Sequence, residues 1–121
     1  MPRLLEPLTN EEKEAADRMI QAFSTFNAFV FELPERKLFF NVIRKVGLEP
    51  LITIKELRRR KVVIYVVLLN ERPCINECQY KCRGKNNGEQ RKCIHECVEK
   101  CMKERKEYLI NTLREASKKN P

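Results

Sequence analysis

CINECQYKCRGKNNGEQRKCIHECVEKC, residues 74–101, contains all six cysteines of the 121-residue chain. They fall in two groups of three, and neighbouring cysteines within a group are always four residues apart. A spacing of four places each group on one stripe of an α-helix. The intervening RGKNNGEQ predicts a turn, with Gly84 in the left-handed position after the first helix and Asn87 as N-cap of the second. The stretch therefore predicts two antiparallel helices.

Facing residues of an antiparallel pair have a constant sum of residue numbers, and here three cysteine pairs share one sum. The spacing predicts three disulfides: Cys74–Cys101, Cys78–Cys97 and Cys82–Cys93. A zinc site and an iron–sulfur cluster are weaker alternatives, since sulfurs spread over two helical turns do not converge on one ion. Reduced, buried cysteines are the remaining alternative. His95, the only histidine, points away from the cysteine stripe, so we expect it at the surface and predict no metal site.

The cysteine segment resembles the twin C-x3-C helical hairpins of small mitochondrial carrier proteins. It departs from them in having three cysteines in each arm, and the resemblance covers residues 74–101 only.

The rest of the chain predicts further helices and no strand. Thr9 and Glu12 form a capping box for a helix to about Glu32, whose apolar face contains Met19, Phe23, Phe26, Val30 and Leu33. Pro34 to Val46 predicts a second, amphipathic helix that Gly47 ends.

The segment from Ile52 to Leu69 is ambiguous. Thr53 and Glu56 form a second capping box, flanked by Ile52 and Leu57 as a hydrophobic staple. VVIYVVLL, residues 62–69, has the β-branched residues of a strand, but no turn signal separates it from the capped segment. We interpret the whole as one helix. The predicted fold is all-α, a helical bundle with a C-terminal antiparallel helical hairpin stapled by up to three disulfides.

The chain has the length of a single domain. Within it we distinguish an extended arm over residues 1–8, a helical region with a basic centre over 9–73, and the stapled hairpin over 74–121. The sequence shows no signal-peptide pattern, and its longest apolar run is too short to span a membrane. Disulfides, 35% charged residues and no signal peptide are typical of hyperthermophiles. We therefore expect a location in the cytoplasm of such a cell or in a virion.

The net charge is +8, and the excess lies in the centre of the chain: residues 34–61 have nine basic and three acidic side chains. A basic region of this kind predicts a polyanionic partner, with double-stranded DNA the first candidate. Four consecutive basic residues point around most of a helix, which favours phosphate contacts over reading of bases. The candidate nucleic-acid-binding residues are Arg36, Lys37, Arg44, Lys45, Arg58, Arg59, Arg60, Lys61, Lys85, Arg91 and Lys92.

Residues that catalysis requires are scarce. The chain has one histidine, one aspartate (Asp17) and two serines (Ser24 and Ser117), and none is placed beside a nucleophile or base. We expect no enzymatic activity, no catalytic residue and no cofactor. Two alternatives to a DNA-coating protein remain: a helix-turn-helix regulator built from residues 34–46 and 53–61, or a disulfide-stiffened interaction module that binds no nucleic acid.

An all-α, basic, disulfide-stapled chain with an extended arm resembles the DNA-wrapping capsid and nucleocapsid proteins of hyperthermophilic archaeal viruses. The resemblance is one of architecture and composition. It implies a virion protein that coats duplex DNA and associates with itself or with a paralogous partner subunit.

Overall fold

A computed structural model describes residues 6–118, and it confirms the capping box at the first helix. Helix α1 spans Asn10–Thr25. The Glu12 backbone N–H donates to Thr9 Oγ1 over 3.1 Å, and the Thr9 N–H donates to Glu12 Oε1 over 2.9 Å. Of the predicted arm, residues 1–5 lie outside the described part of the chain, and Leu8 is fully buried.

The predicted continuation of this helix to Glu32 is wrong. The chain leaves the helix after Thr25 and forms strand β1, Ala28–Glu32. Phe29 and Phe31 are buried, whereas Val30 is 50% exposed. A period of two thus places both phenylalanines in the core, which the helical alternative would not do.

Helix α2 spans Arg36–Val46 and confirms the second predicted helix. Pro34 lies in the short 3-10 turn that precedes it, and Gly47 ends it at a φ of 78°, where a residue with a Cβ would be strained. The apolar stripe of α2 is buried, including Phe39, Val42 and Val46.

The predicted helix from Thr53 to Leu69 is also wrong, because this segment is a β-hairpin. Strand β2, Ile52–Arg59, pairs antiparallel with strand β3, Val62–Leu69, through a two-residue turn at Arg60 and Lys61. The predicted Thr53–Glu56 capping box therefore does not form. The predicted staple fails as well, because Ile52 and Leu57 lie on opposite faces of the sheet.

The two hairpin strands and β1 form a three-stranded antiparallel sheet in the order β1-β3-β2. The all-α prediction is thus contradicted. The inner face of the sheet packs on the helices. The aromatic rings of Phe29, Phe31, Phe39 and Tyr65 meet there, and the ring centroids of contacting pairs are 4.8 to 5.9 Å apart. The opposite surface, which we call the outer face, belongs to the alternate residues of each strand.

The predicted helical hairpin and all three disulfides are present. Helix α3, Arg72–Lys81, runs beside the first half of helix α4, Asn87–Lys118. The bonded pairs are Cys74–Cys101, Cys78–Cys97 and Cys82–Cys93, with Cα atoms 5.7 to 5.9 Å apart.

The connection between α3 and α4 follows the prediction except at its cap. Gly84 adopts a φ of 82°, the left-handed conformation expected after a helix. Asn86, rather than the predicted Asn87, caps α4, because its Oδ1 accepts a hydrogen bond from the Glu89 N–H over 2.9 Å.

The two halves of α4 have different surroundings. Leu109, Ile110 and Leu113, in its C-terminal half, are buried in the main core beside α1. In α3, by contrast, only the cysteines Cys74 and Cys78 are buried. The hairpin therefore has almost no apolar core of its own, and the disulfides replace one.

Reducing all three disulfides is expected to unfold α3 and residues 87–101 while the sheet, α1 and the C-terminal half of α4 stay folded. Each bond closing a loop of this length contributes about 3 kcal/mol, and little apolar burial remains without them. Hydrogen exchange measured with and without reductant checks this, and residues 102–118 serve as the internal control. Unchanged protection of residues 74–82 after complete reduction would contradict it.

Candidate nucleic-acid interface

The structure brings two separately predicted basic segments together at the turn end of the sheet. We call Arg36, Lys37, Arg58, Arg60 and Lys61 the basic end. The Arg36 guanidinium lies 5.3 Å from the ring centroid of Phe40 and 5.9 Å from that of Tyr65, which fixes the start of α2 against the sheet. The basic end combines residues that are more than 20 positions apart in the sequence.

The carboxylate of Glu56 lies within this cluster and binds two of its neighbours. Arg58 Nε donates to Glu56 Oε2 over 2.9 Å, and Tyr65 Oη donates to Glu56 Oε1 over 2.8 Å. These hydrogen bonds, that of Arg58 first, lower the pKa of Glu56, and the bond to Glu56 raises the pKa of Tyr65. Glu56 therefore stays ionised and pairs with Arg58, one of the five cations of the basic end.

Arg60 has an unusual backbone conformation. It is the first residue of the β2–β3 turn, and its φ of 57° is the one positive value at a non-glycine residue among residues 6–118. A two-residue hairpin turn usually has Gly, Asn or Asp at such a position. The left-handed conformation costs an ordinary residue about 1 kcal/mol. An arginine here exposes its charge at the apex of the hairpin at the expense of stability.

The second basic surface is the tip of the helical hairpin, formed by the ends of α3 and α4. We call it the basic tip, and its basic side chains are exposed. Arg83 stacks over the ring of Tyr80 at 4.7 Å, and Lys81 pairs with Glu77 at 2.9 Å. The predicted residues of the basic tip are Lys85, Arg91 and Lys92.

Of two further predicted residues, Lys45 faces the interior, and Arg44 lies at the surface beside an acidic side chain. Lys45 is buried and contacts Glu12 Oε1 at 2.7 Å, and Arg44 lies 3.7 Å from Glu6. Burial alone would raise the pKa of Glu12, but the hydrogen bonds from Lys45 and Thr9 outweigh it and lower the pKa. The C-terminal half of α2 thus closes onto the start of α1.

Arg59 is separated from the basic end by the pleat of β2. It pairs with Val62 and lies on the outer face, whereas the adjacent Arg58 lies on the inner face with Tyr65 and Glu56. Sequence reasoning treated residues 58–61 as one helical patch and missed this division. The β-branched residues of 62–69 indicated a strand, but the segment is apolar at every position, so its sequence does not show which residues face the core.

Residues 6–118 show no side-chain cluster that could hold a metal ion. All six cysteines are in disulfides, so no thiolate remains as a ligand, and no group of three metal-ligating side chains is present in this range. The His95 side chain is 76% exposed, as the sequence predicts. No helix in the described part of the chain is both long and apolar enough to cross a bilayer.

Comparison with known proteins gave no relative. No protein-family model, no curated protein and no solved structure matches the chain.

The buried Glu12–Lys45 pair predicts acid sensitivity. Because the pKa of Glu12 is lower in the folded than in the unfolded chain, the pair stabilises the fold fully above the ordinary value of 4.5, and this contribution disappears as the pH falls through the lower folded pKa. We expect Glu12→Gln to cost about 3 kcal/mol near neutral pH and to reduce the further loss in acid.

Urea unfolding at several values between about pH 7 and pH 3 measures this effect. Glu14→Gln is the matched control, because Glu14 lies two residues after Glu12 in α1 and its carboxylate is exposed. Parallel loss of stability in wild type and Glu12→Gln would show that the pair does not carry the acid sensitivity.

Proposed function

We propose that this protein binds duplex DNA without reading its sequence, through phosphate contacts from the basic end and the basic tip. The observation that carries the proposal is Arg60, a cation kept in a strained turn where glycine would be more stable. Strain of this kind is typical of residues retained for binding.

The charge arrangement supports the proposal. Within residues 6–118, Arg60, Lys61, Lys85, Arg91 and Lys92 form no ion pair with a carboxylate. Cations without a protein partner are free to contact phosphates. Such contacts release counterions from the DNA, and this release drives sequence-independent binding. Their placement at the apices of two hairpins makes them accessible to a rigid, charged surface.

One alternative, the helix-turn-helix regulator, loses its structural basis, and the resemblance to viral capsid proteins loses its architectural part. A helix-turn-helix requires a helix over residues 53–61, and that segment is strand β2 with its turn. The resemblance to viral capsid proteins rested on an all-α architecture, and the sheet removes that architecture. The proposal therefore concerns DNA binding itself and not a virion role.

Binding of random-sequence duplexes of about 30 base pairs should weaken steeply with salt. With roughly five phosphate contacts, the slope of log K against log salt concentration is expected near −4 or −5. Fluorescence anisotropy over a salt series measures it, with single-stranded DNA and duplex RNA of the same length in parallel. A salt-independent constant, or no binding at low salt, would contradict the proposal, and preferential binding of duplex RNA would change the polyanion.

Arg60→Gly separates function from stability. Glycine relieves the positive φ, so the variant is expected to be more stable by about 1 kcal/mol. Loss of one phosphate contact should nevertheless weaken DNA binding several-fold and make the salt slope shallower by about one unit. Thermal unfolding and anisotropy on the same sample measure both effects.

Two further variants complete the comparison. Lys85→Glu with Lys92→Glu reverses charges at the basic tip and should weaken binding more strongly than Arg60→Gly. Arg114→Glu with Lys118→Glu, on the exposed side of the C-terminal half of α4, changes the net charge by the same amount as the double variant and should have a small effect. Equal losses in the two double variants would show that net charge alone, rather than the two basic surfaces, determines binding.

A further inference from the structure

The β2–β3 hairpin extends beyond the rest of the sheet. The last pair between β1 and β3 is Glu32 with Ile64, whereas β2 and β3 continue to the pair Arg59 and Val62. Beyond the level of Ile64, the part of the chain that the structure describes has only these two strands and their turn. We call residues 58–63 the ribbon. Its two residue levels, at about 3.4 Å each, and its turn project roughly 10 Å from the three-stranded sheet.

The ribbon combines four cations with no carboxylate. Its residues are Arg58, Arg59, Arg60, Lys61, Val62 and Val63, and all except Val63 are exposed. The carboxylates of Glu32 and Glu56 are attached no further along the strands than Ile64. Helix α4 contacts the opposite end of the sheet, where Lys106 donates to Asn27 Oδ1 over 3.1 Å. The ribbon is therefore a cationic projection that α4 does not cover.

We propose that the ribbon enters the major groove of duplex DNA, with its turn toward the base pairs. This inference rests on the proposed DNA binding and adds which groove the protein occupies. The major groove of B-form DNA is about 12 Å wide and 8.5 Å deep and admits a two-stranded ribbon, whereas the minor groove is only about 6 Å wide. The length of the ribbon thus matches the depth of the major groove.

Cations lie on both faces of the ribbon. Arg59 is on the outer face and Arg58 is on the inner face. Arg36 also lies on the inner side, with its guanidinium 5.9 Å from the ring centroid of Tyr65. Each face therefore presents positive charge to one of the two phosphate backbones that border the groove. Arg59, which the pleat of β2 separates from the basic end, thus contacts the same duplex from the other side.

The turn of the ribbon is compatible with binding to any sequence. Arg60 and Lys61 reach the floor of the groove, where each purine presents its N7 as a hydrogen-bond acceptor. Because every base pair contains a purine, these long side chains find an acceptor at every step. Val62 is 57% exposed beside them, which phosphate contacts alone do not explain. In the major groove the methyl group of thymine is an apolar partner for it.

The same geometry favours DNA over duplex RNA. The major groove of an A-form duplex is deep and narrow, and side chains cannot read it. A ribbon about 10 Å thick is therefore excluded from this groove and is left with phosphate contacts at its rim. At equal length and salt concentration, we expect duplex DNA to bind about 10-fold more tightly than duplex RNA.

A bulky group in the major groove tests the inference. Fluorescence anisotropy compares two duplexes of one sequence, the second with a glucosylated 5-hydroxymethyl group on every cytosine. The sugar fills the major groove and leaves the phosphates unchanged. Wild type should bind the modified duplex about 10-fold more weakly. Netropsin, which occupies the minor groove of an A·T-rich duplex, should change the affinity by less than about twofold.

Two double variants assign the effect to the ribbon. Arg60→Gly with Lys61→Gly removes both cations of the turn, and glycine suits a two-residue hairpin turn, so the fold is kept. Its affinity should fall, and the two duplexes should then bind within about threefold of each other. Lys85→Glu with Lys92→Glu, at the basic tip, should also lower the affinity but keep the ratio of about 10. Circular dichroism checks that both variants are folded.

The outcomes distinguish this inference from the proposed function. Equal affinity of wild type for the two duplexes, with the expected salt dependence, would overturn the groove assignment and leave phosphate binding in place. A strong effect of netropsin would overturn it in favour of the minor groove. Loss of the ratio in the basic-tip variant rather than in the turn variant would overturn the choice of the ribbon. Absence of binding at low salt would overturn the proposed function and this inference with it.

Discussion

Strand β3 is the element on which the rest of this structure depends. It pairs with both other strands, and its alternating side chains divide an entirely apolar segment between the core and the outer face. A shift of its register by one residue would exchange Tyr65 and Val67 for Ile64 and Val66 in the core and would break the aromatic cluster with Phe31. The same register places Arg58 beside Tyr65 and Arg59 on the other side of the sheet. Fold and charge distribution therefore follow from one pairing.

The cystine ladder has a different role, because it supports an element that packing alone would not hold. Apolar burial in α3 is almost confined to its cysteines, while α4 is anchored by Leu109 and Leu113 far from the tip. Cross-links between short segments act mainly by limiting the freedom of the unfolded chain, so they suit a region with little surface to bury. The hairpin thus remains ordered while nearly all of its outward side chains stay available for contacts.

Several signals confined to a few residues predicted structure well, but the equally local Thr53–Glu56 capping box did not, because pairing with β3 makes that segment a strand. The Thr9–Glu12 capping box, Gly47 and the cysteine spacing each specify geometry within one or two turns, and all three are confirmed. The β2–β3 turn was missed because Arg60 and Lys61 lack the glycine or asparagine that marks a hairpin. Among candidate site residues, the abundance of cations was evident from the sequence. The withdrawal of Lys45 into the core was not, since it requires Glu12 from a different helix.

The continuity of α4 has a mechanical consequence. One unbroken helix of 32 residues joins the exposed tip to the centre of the protein, about 48 Å end to end at 1.5 Å per residue. A force applied at Arg91 is transmitted along this helix to its C-terminal half, where Leu113 is buried in the core beside α1. The tip can therefore change its position relative to the core only if α4 bends or unwinds.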